Sequence, residues 1–402
     1  MNTRSESPRR ALTGTTSMVC AGTALIGVCY GFARFAYGLF APVFERAFTL
    51  GSTVLGVIGS GSYIGYSLAI TASFWLTSRF GPRAIALGAG VLATIGTLLV
   101  ACAPTGSVLA LGILVAGSST GLASPPMAEA IARTITLTRQ DKAQSIVNAG
   151  TGVGVLLSGP IALALLQNWR WAWATFGIIS AVISVWIAVT VPAGNHSPAN
   201  NPSTGQLMPP GGARLAIAAL LMGLGSSAVW TFGRSVVTAQ GNASEALSTL
   251  MWTVIGVAGL LGAFSGHITA SLGLPASWSL TMILLAGATV FLALWPASAV
   301  VTILGGACFG ASYIALCGLV LVWSTRIYPG HPATGVGVSF LMIALGQIIG
   351  SPLAGALIDH TSYIVAFTIC ALSALSGAIL RYRAPQQHDP QSVAAKTASN
   401  TL

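Results

Sequence analysis

Long runs of apolar residues, separated by short polar breaks, fill almost the whole chain. Each run has about 20 residues, the length that a helix needs to cross the hydrocarbon core of a bilayer. Inside lipid every backbone N–H and C=O must be bonded internally, so we expect these runs to be α-helices. The twelve predicted spans are Thr16–Phe40, Thr53–Ser78, Ala84–Ala103, Ser107–Ala128, Ala143–Leu166, Trp171–Pro192, Leu215–Thr238, Ser248–Ala270, Ala276–Trp295, Ala299–Trp323, Pro332–Leu357 and Ser362–Leu380.

The chain also contains a faint internal repeat at a fixed offset of 192 residues. Glycine and proline set turns, kinks and close backbone approach, so they persist where geometry repeats. Four pairs fall at the same place in the order of spans: Gly81 and Gly273, Pro104 and Pro296, Gly154 and Gly346, and Pro160 and Pro352. The repeat predicts an all-α integral membrane protein with two pseudo-repeated six-helix bundles, an arrangement typical of secondary transporters.

Composition agrees with the spans. Charged residues make up 6% of the chain and apolar residues 54%, whereas a soluble domain has about a quarter charged residues. Thirteen of the 17 basic residues lie in loops or tails on the same side as the N-terminus, and two, Arg46 and Arg170, lie on the other side. The positive-inside rule therefore predicts that both termini are cytoplasmic. The net charge of +10 reflects this topology and does not predict a nucleic-acid partner.

One long polar segment, Ala193–Gly212, divides the spans into two sets of six. It is rich in Pro, Asn, Ser and Gly, a composition typical of a flexible linker. The predicted organisation is an N-terminal bundle at 1–192, a cytoplasmic linker at 193–212, a C-terminal bundle at 213–383 and a disordered cytoplasmic tail at 384–402. We expect a monomer in the plasma membrane.

Enzyme and metal motifs find little support. Gly117–Gly121 fits a G-x-S-x-G pattern by letters, but it lies inside an apolar run, where small-residue helix packing is the better interpretation. The six cysteines and five histidines lack the spacing of metal ligands. The sequence predicts no cofactor, no metal and no catalytic residue.

The loop between spans 2 and 3 carries a family resemblance. Arg79, Gly81 and Arg83 fit a Gly-x-x-x-Asp-Arg-x-Gly-Arg-Arg pattern, with Ser78 in place of the aspartate and Phe74 in place of the first glycine. Together with twelve spans and a central linker, this loop makes nearly the whole chain resemble the major facilitator superfamily. It looks like an uncharacterised bacterial branch near sugar-efflux and drug-efflux permeases.

The fifth span contains a second partial signature. Gly154 and the run Ser158-Gly159-Pro160 are similar to the glycine–proline motif of that superfamily's antiporters. Glycine and proline at these places predict helix kinking and close packing. The predicted kink and packing residues are Gly154, Gly159, Pro160, Gly346, Gly350 and Pro352.

Two arginines lie inside spans. A guanidinium in hydrocarbon is expensive, roughly 2.5–3.5 kcal/mol on insertion scales, so Arg34 and Arg234 should face a polar cavity or a partner. In the family that the chain resembles, spans 1 and 7 line the central cavity. Substrate contact competes with a structural role for each arginine: Arg34 as a cap for carbonyls, Arg234 reaching the outer interface. On an α-helix Tyr30 and Tyr37 share the face of Arg34, at i−4 and i+3. The predicted substrate-cavity residues are Tyr30, Arg34, Tyr37, Tyr63, Trp230, Arg234 and Gln347.

The resemblance also implies a gate on the cytoplasmic side. Glu129 and Arg133 are four residues apart, which suits either an ordinary surface pair or a gate latch. The predicted latch residues are Arg79, Gly81, Arg83, Glu129 and Arg133.

The function predicted from the sequence is transport of a small organic solute by alternating access. The partial glycine–proline motif favours efflux, with proton-coupled antiport as one mechanism. Arg34 favours the alternative, a symporter or facilitator that takes up an organic anion. The chain's carboxylates lie at span ends or in the tails, so the proton-carrying residue stays open. A membrane-embedded enzyme or a sensor is the distant alternative.

Overall fold

The computed structural model describes residues 8–165, 168–193, 208–262 and 265–383. In this part of the chain, 11 helices are long and apolar enough to cross a membrane, and a twelfth apolar helix, Tyr363–Ile379, is shorter. The prediction of an all-α membrane fold is confirmed. The helical segments are Pro8–Ile26, Gly27–Phe35, Ala36–Phe48, Ser52–Ala101, Gly106–Thr134, Leu137–Ala164, Trp169–Thr190, Gly212–Ala239, Glu245–Gly262, Ser265–Leu294, Ala299–Ile327, Pro332–His360 and Tyr363–Ile379.

Three segments deviate from the predicted spans. Span 1 extends to Phe48, and its middle part, Gly27–Phe35, is a π-helix. Spans 2 and 3 lie in one segment, Ser52–Ala101, that breaks only at Gly81. The segment Ser265–Leu294, which contains span 9, breaks in the same way at Gly273.

The two breaks are repeats of one another in conformation as well as in sequence. Gly81 has φ 80° and ψ 162°, and Gly273 has φ 74° and ψ 158°. This region of backbone space is open essentially only to glycine, because a Cβ would clash there. The offset of 192 residues therefore marks a turn that both halves build with the same backbone geometry.

Glycine contacts between helices repeat at the same offset. A Cβ added at Gly31 of span 1 would overlap the backbone of Gly154 in span 5. In the second half, a Cβ at Gly346 of span 11 would overlap the backbone of span 7 beside Gly223. Small residues allow two helices to approach until their backbones touch. Spans 1 and 5 in one half thus cross as spans 7 and 11 do in the other.

Glycines also join the two halves to each other. A Cβ at Gly56 of span 2 would overlap the backbone of Ser351 in span 11, and one at Gly256 of span 8 would overlap that of Leu156 in span 5. Spans 2 and 5 of the first half therefore lie directly against spans 11 and 8 of the second. Residues on the facing sides of spans 1, 2, 7, 10 and 11 meet in the centre.

The predicted domain bounds stay predictions. Most of the linker and the whole tail, 194–207 and 384–402, lie outside the described residues.

The repeated glycine turns generate a stability prediction. Gly81→Ala and Gly273→Ala place a Cβ in a strained conformation, at a cost of about 1–3 kcal/mol each. We expect both variants to melt at a lower temperature than the unmodified protein in detergent. The matched controls are Gly88→Ala and Gly287→Ala, where a Cβ meets nothing within 4 Å. Equal melting temperatures for the four variants would contradict the prediction.

Candidate functional site

The candidate site begins with the π-helical part of span 1. Gly27–Phe35 has the wide π-helical turn, and Arg34 lies in its last turn. Single π-turns inside α-helices are rare overall, and those that occur often lie at functional sites. Gly31 lacks a Cβ, so span 5 packs directly on this segment. The consequence is a buried Arg34, with 6% of its surface exposed.

Aromatic rings surround the Arg34 guanidinium. Its central carbon lies 4.5 Å from the ring centroid of Tyr66, 4.8 Å from Tyr63, 5.2 Å from Phe35 and 5.7 Å from Tyr30. The negative faces of aromatic rings attract a cation, more strongly where water is excluded. The rings thus replace part of the hydration that the guanidinium loses.

One hydrogen bond links Arg34 to the second half of the protein. Its Nη2 donates to Gln347 Oε1 of span 11 at 3.0 Å, and Gln347 Nε2 donates to the Tyr313 hydroxyl of span 10 at 3.3 Å. Gln347 is fully buried. The Nε of Arg34 is buried without a hydrogen-bond partner. The guanidinium therefore retains donor capacity in the centre of the protein.

Among the described side chains, the charge of Arg34 has no opposite charge beside it. The ion pairs of the described side chains involve three other arginines, Arg46, Arg133 and Arg234. A buried cation is costly unless it is paired and hydrogen-bonded. Within the described part of the chain, rings and one neutral amide are what Arg34 has instead of a carboxylate.

A second aromatic group continues from Phe35 into the other half. Phe35 stacks on Trp230 of span 7, with ring centroids 4.0 Å apart. The absence of a Cβ at Gly38 lets the span 7 backbone at Trp230 approach span 1, which brings these two rings together. Trp230 also meets Phe309 and Tyr313 of span 10 edge-on. Its indole Nε1 is buried without a hydrogen-bond partner.

We name this central group the Arg34 site. Its members are Tyr30, Arg34, Phe35, Tyr63, Tyr66, Trp230, Tyr313 and Gln347. Five of the predicted cavity residues therefore lie together: Tyr30, Arg34, Tyr63, Trp230 and Gln347. Their role as substrate contacts stays a prediction.

Two predicted cavity residues lie elsewhere. The Tyr37 hydroxyl donates to the backbone carbonyl of Leu55 at 2.7 Å, and its ring packs on Phe44. We expected it on the helical face of Arg34, three residues away. The π-helical turn that ends at Phe35 breaks the 3.6-residue register on which that expectation rested.

Arg234 is the second of these residues. It is completely buried, and both roles given for it, substrate contact and reach to the outer interface, stay predictions. Its Nη1 donates to the Leu39 carbonyl of span 1, its Nε donates to Ser248 at 3.0 Å, and it forms an ion pair with Glu245. Glu245 also pairs with Arg46 at 3.1 Å. Arg234 thus ties spans 7 and 8 to span 1.

Asp359 forms a similar link between spans 11 and 2. Its carboxylate accepts the backbone N–H groups of Ser52 and Thr53 at 2.9 and 2.8 Å, and the Thr53 hydroxyl at 2.7 Å. An anion at a helix N-terminus is stabilised by the unpaired N–H groups and the helix dipole. The sequence places this carboxylate at the end of a span and does not predict its contact with span 2. A lone carboxylate at the end of an apolar span was the available signal.

These contacts lie at one end of the bundle, opposite the first and last described residues. We name them the distal closure, made of Arg46, Arg234, Glu245 and Asp359. The Arg46–Glu245 pair, the bond of Arg234 to the Leu39 carbonyl and the Asp359 cap join one half to the other, so these bonds must break if the halves separate at this end. The Arg234–Glu245 pair lies within the second half.

The contacts that the structure describes for the predicted latch residues are these. Glu129 and Arg133 form an ion pair within span 4. The Arg79 guanidinium lies over the rings of Trp75 and Phe80, 5.1 and 5.5 Å from their centroids. Gly81 makes the turn, and the Nε of Arg83 is buried without a hydrogen-bond partner. The gate role of this group stays a prediction.

The predicted packing residues lie at helix crossings. Pro160 and Pro352 are inside the helices of spans 5 and 11. A Cβ at Gly159 would overlap the Thr253 side chain of span 8, and one at Gly350 would overlap Ser227 of span 7. Gly159 is therefore a contact between the two halves, whereas Gly350 packs within one half.

A comparison with protein families decides the class of the molecule. Residues 26–381 match the family described as "Uncharacterised MFS-type transporter YbfB". The chain belongs to this family of major facilitator transporters. The resemblance seen in the loop at Arg79–Arg83 is confirmed over most of the chain.

Three proteins are related to this chain in sequence. OpdE of Pseudomonas aeruginosa, named a transcription regulatory protein, is 26% identical over 94% of this chain and 96% of its own. A multidrug resistance protein B homolog of Mycobacterium tuberculosis is 26% identical over 79% of this chain and 55% of its own. A gentisate transporter of Corynebacterium glutamicum is 23% identical over 40% of this chain and 37% of its own.

Solved structures agree on the fold. A POT family transporter in complex with 5-aminolevulinic acid superposes with a TM-score of 0.75, at 14% identity, over 92% of this chain and 95% of that one. The nucleoside transporter NupG gives a TM-score of 0.71, at 12% identity, over 91% of this chain and 97% of that one. At this identity the likeness establishes the transporter fold alone.

The contact of Gly159 with span 8 generates a prediction for a transporter. In Gly159→Leu the added side chain meets Thr253, and overpacking of this kind costs about 1–3 kcal/mol. We expect transport to fall about tenfold or more while the amount of protein in the membrane stays normal. The control is Gly287→Leu, at a position with open space. Normal transport by a well-expressed Gly159→Leu protein would show that the close approach is unnecessary.

Proposed function

We propose that this protein is a secondary transporter that exports a small organic anion across the plasma membrane by alternating access. The observation that carries the proposal is the buried Arg34 guanidinium, which has spare donor capacity and no carboxylate partner among the described side chains. A carboxylate on the substrate supplies what the site lacks. Charge-assisted hydrogen bonds to guanidinium are roughly twice as strong as neutral ones.

The rings beside Arg34 favour a flat substrate. The ring centroids of Tyr63, Tyr66 and Phe35 lie between 4.5 and 5.2 Å from the central carbon of the guanidinium, and the Phe35–Trp230 stack continues into the other half. Aromatic faces stack on planar groups with favourable offset or edge geometry. An aromatic carboxylic acid matches both the charge and the rings. The relative named for gentisate, a dihydroxybenzoate, supports this class.

Export is the proposed direction. The relative named for multidrug resistance and the partial glycine–proline motif of span 5 both favour it. The distal closure supports a mechanism in which the two halves alternate, because the Arg46–Glu245 ion pair and the Asp359 helix cap join the halves through polar bonds at one end. Proton antiport is the first coupling to test, since Glu45, Glu245 and Asp359 lie at the distal ends of their helices.

A regulatory role is the second candidate, because the relative that matches nearly the full length is named a transcription regulatory protein. Flux separates the two functions. Purified protein in proteoliposomes should move an aromatic anion down the anion's concentration gradient. The flux should be faster when a pH gradient drives protons in the opposite direction. Anion binding without flux at any pH gradient would favour the regulator.

Arg34 variants test the anion site directly. Arg34→Lys keeps the charge but loses the planar fork, so we expect gentisate flux to fall partially. Arg34→Gln loses the charge, and flux should fall roughly 10- to 100-fold, the size of one charge-assisted hydrogen bond. Flux of the neutral amide, gentisamide, should change much less.

The control for these variants is Arg214→Gln, which removes an arginine near the start of span 7 whose bond, within the described residues, goes to the Arg381 backbone carbonyl. Flux is compared at matched protein amount. Equal losses for gentisate and gentisamide would contradict anion contact and leave Arg34 with a scaffold role.

The basic-residue asymmetry generates a topology prediction. After removal of the six native cysteines, a single cysteine is placed at Ser203 or at Thr361. An impermeant maleimide added to intact cells should label Ser203→Cys only after lysis and Thr361→Cys before it. Labelling of Ser203→Cys from outside would reverse the proposed orientation, in which both termini are cytoplasmic.

A further inference from the structure

Among the described residues, the amide oxygen of Gln347 is the one acceptor that bonds the Arg34 side chain. Arg34 belongs to the first half and Gln347 to the second, and their bond of 3.0 Å lies between two side chains that are 6% and 0% exposed. The Gln347 amide is itself oriented by the Tyr313 hydroxyl, to which its Nε2 donates. An amide fixed in this way presents its oxygen, and only its oxygen, to the guanidinium.

An amide oxygen has the shape of one carboxylate oxygen but carries no net charge. It therefore satisfies one N–H of Arg34 with a bond weaker than that of an anion. An incoming carboxylate competes successfully for the same N–H groups, whereas a neutral acceptor gains nothing by replacing one amide oxygen with another. The arrangement discriminates between substrates by charge.

We propose that Gln347 is an internal substitute for the substrate: its amide oxygen occupies the place of the substrate's anionic group on Arg34 and is displaced when the anion binds. This inference rests on the proposed function, because it takes Arg34 as the anion site. It assigns to Gln347 a specificity role for that site. Displacement also breaks the bond between spans 1 and 11, so anion binding loosens one of the contacts that join the halves.

The chemistry of position 347 predicts opposite effects for two variants of similar size. Gln347→Glu places a carboxylate permanently beside Arg34. A substrate carboxylate binds the guanidinium no more strongly than this one does, so it does not displace it. Gln347→Met removes the acceptor, so the anion no longer has a bond to break before it binds. Removal of a merely structural contact would weaken binding in both variants.

The experiment measures gentisate and gentisamide affinity by titration calorimetry on the full chain in detergent. We expect Gln347→Glu to weaken gentisate binding at least tenfold and Gln347→Met to tighten it about fivefold. Gentisamide affinity should change less than about twofold in Gln347→Glu, because a neutral amide gains nothing by competing with either acceptor on Arg34. The matched control is Gln240→Glu, which makes the same chemical change at an exposed residue that follows span 7.

Each outcome bears on the inference. Undiminished gentisate binding by Gln347→Glu, or weakened binding by Gln347→Met, would overturn it while Arg34-dependent binding by the unmodified protein still supported the proposed function. Absence of Arg34-dependent binding in the unmodified protein would overturn both. If Gln347→Met fails to fold, Gln347→Leu replaces it, because only removal of the acceptor gives tighter binding by displacement and weaker binding by a structural contact.

Discussion

The centre of this protein is organised around a positive charge that has lost its water. Arg34 lies where a free guanidinium is unfavourable by several kcal/mol, and the described side chains give it four rings and one amide oxygen. These groups come from spans 1, 2 and 11, so the arginine draws both halves to one point. The proposed anion binding rests on this feature: among the described side chains the buried guanidinium has rings and an amide oxygen but no carboxylate.

The two intramembrane arginines lie in equivalent spans but have different partners. Arg234 has a carboxylate partner, Glu245, and bonds to the backbone of the other half. Its charge is satisfied within the protein, and it stabilises the distal closure. Arg34 has no carboxylate partner among the described side chains, so its charge is not neutralised by them. The position of one carboxylate therefore separates a structural arginine from a candidate binding arginine.

Close helix packing makes both arrangements possible. The close approach of Gly38 to the backbone at Trp230 brings Phe35 onto Trp230. The crossing of Gly31 with Gly154 packs span 5 on the π-helical turn that carries Arg34. In a membrane the apolar surface of a helix gains little by packing on another, so close approach through small residues and polar bonds has to hold the bundle. The glycines of this chain are thus part of the site.

Hydrophobic length and the repeat at 192 residues were enough to predict the helical membrane fold, because the bilayer dictates span length and backbone pairing. Repeated glycines predicted the turns at Gly81 and Gly273, since their backbone conformation excludes a Cβ. The sequence also singled out Arg34, Tyr63 and Gln347, because polar groups in spans are conspicuous. Tertiary structure decided the rest. Tyr37 left the site because a π-helical turn altered the register, and Asp359 reached the start of span 2, 306 residues away from Thr53. Which charged side chains come into contact depends on how helices far apart in the sequence cross one another. Local sequence patterns do not specify these crossings.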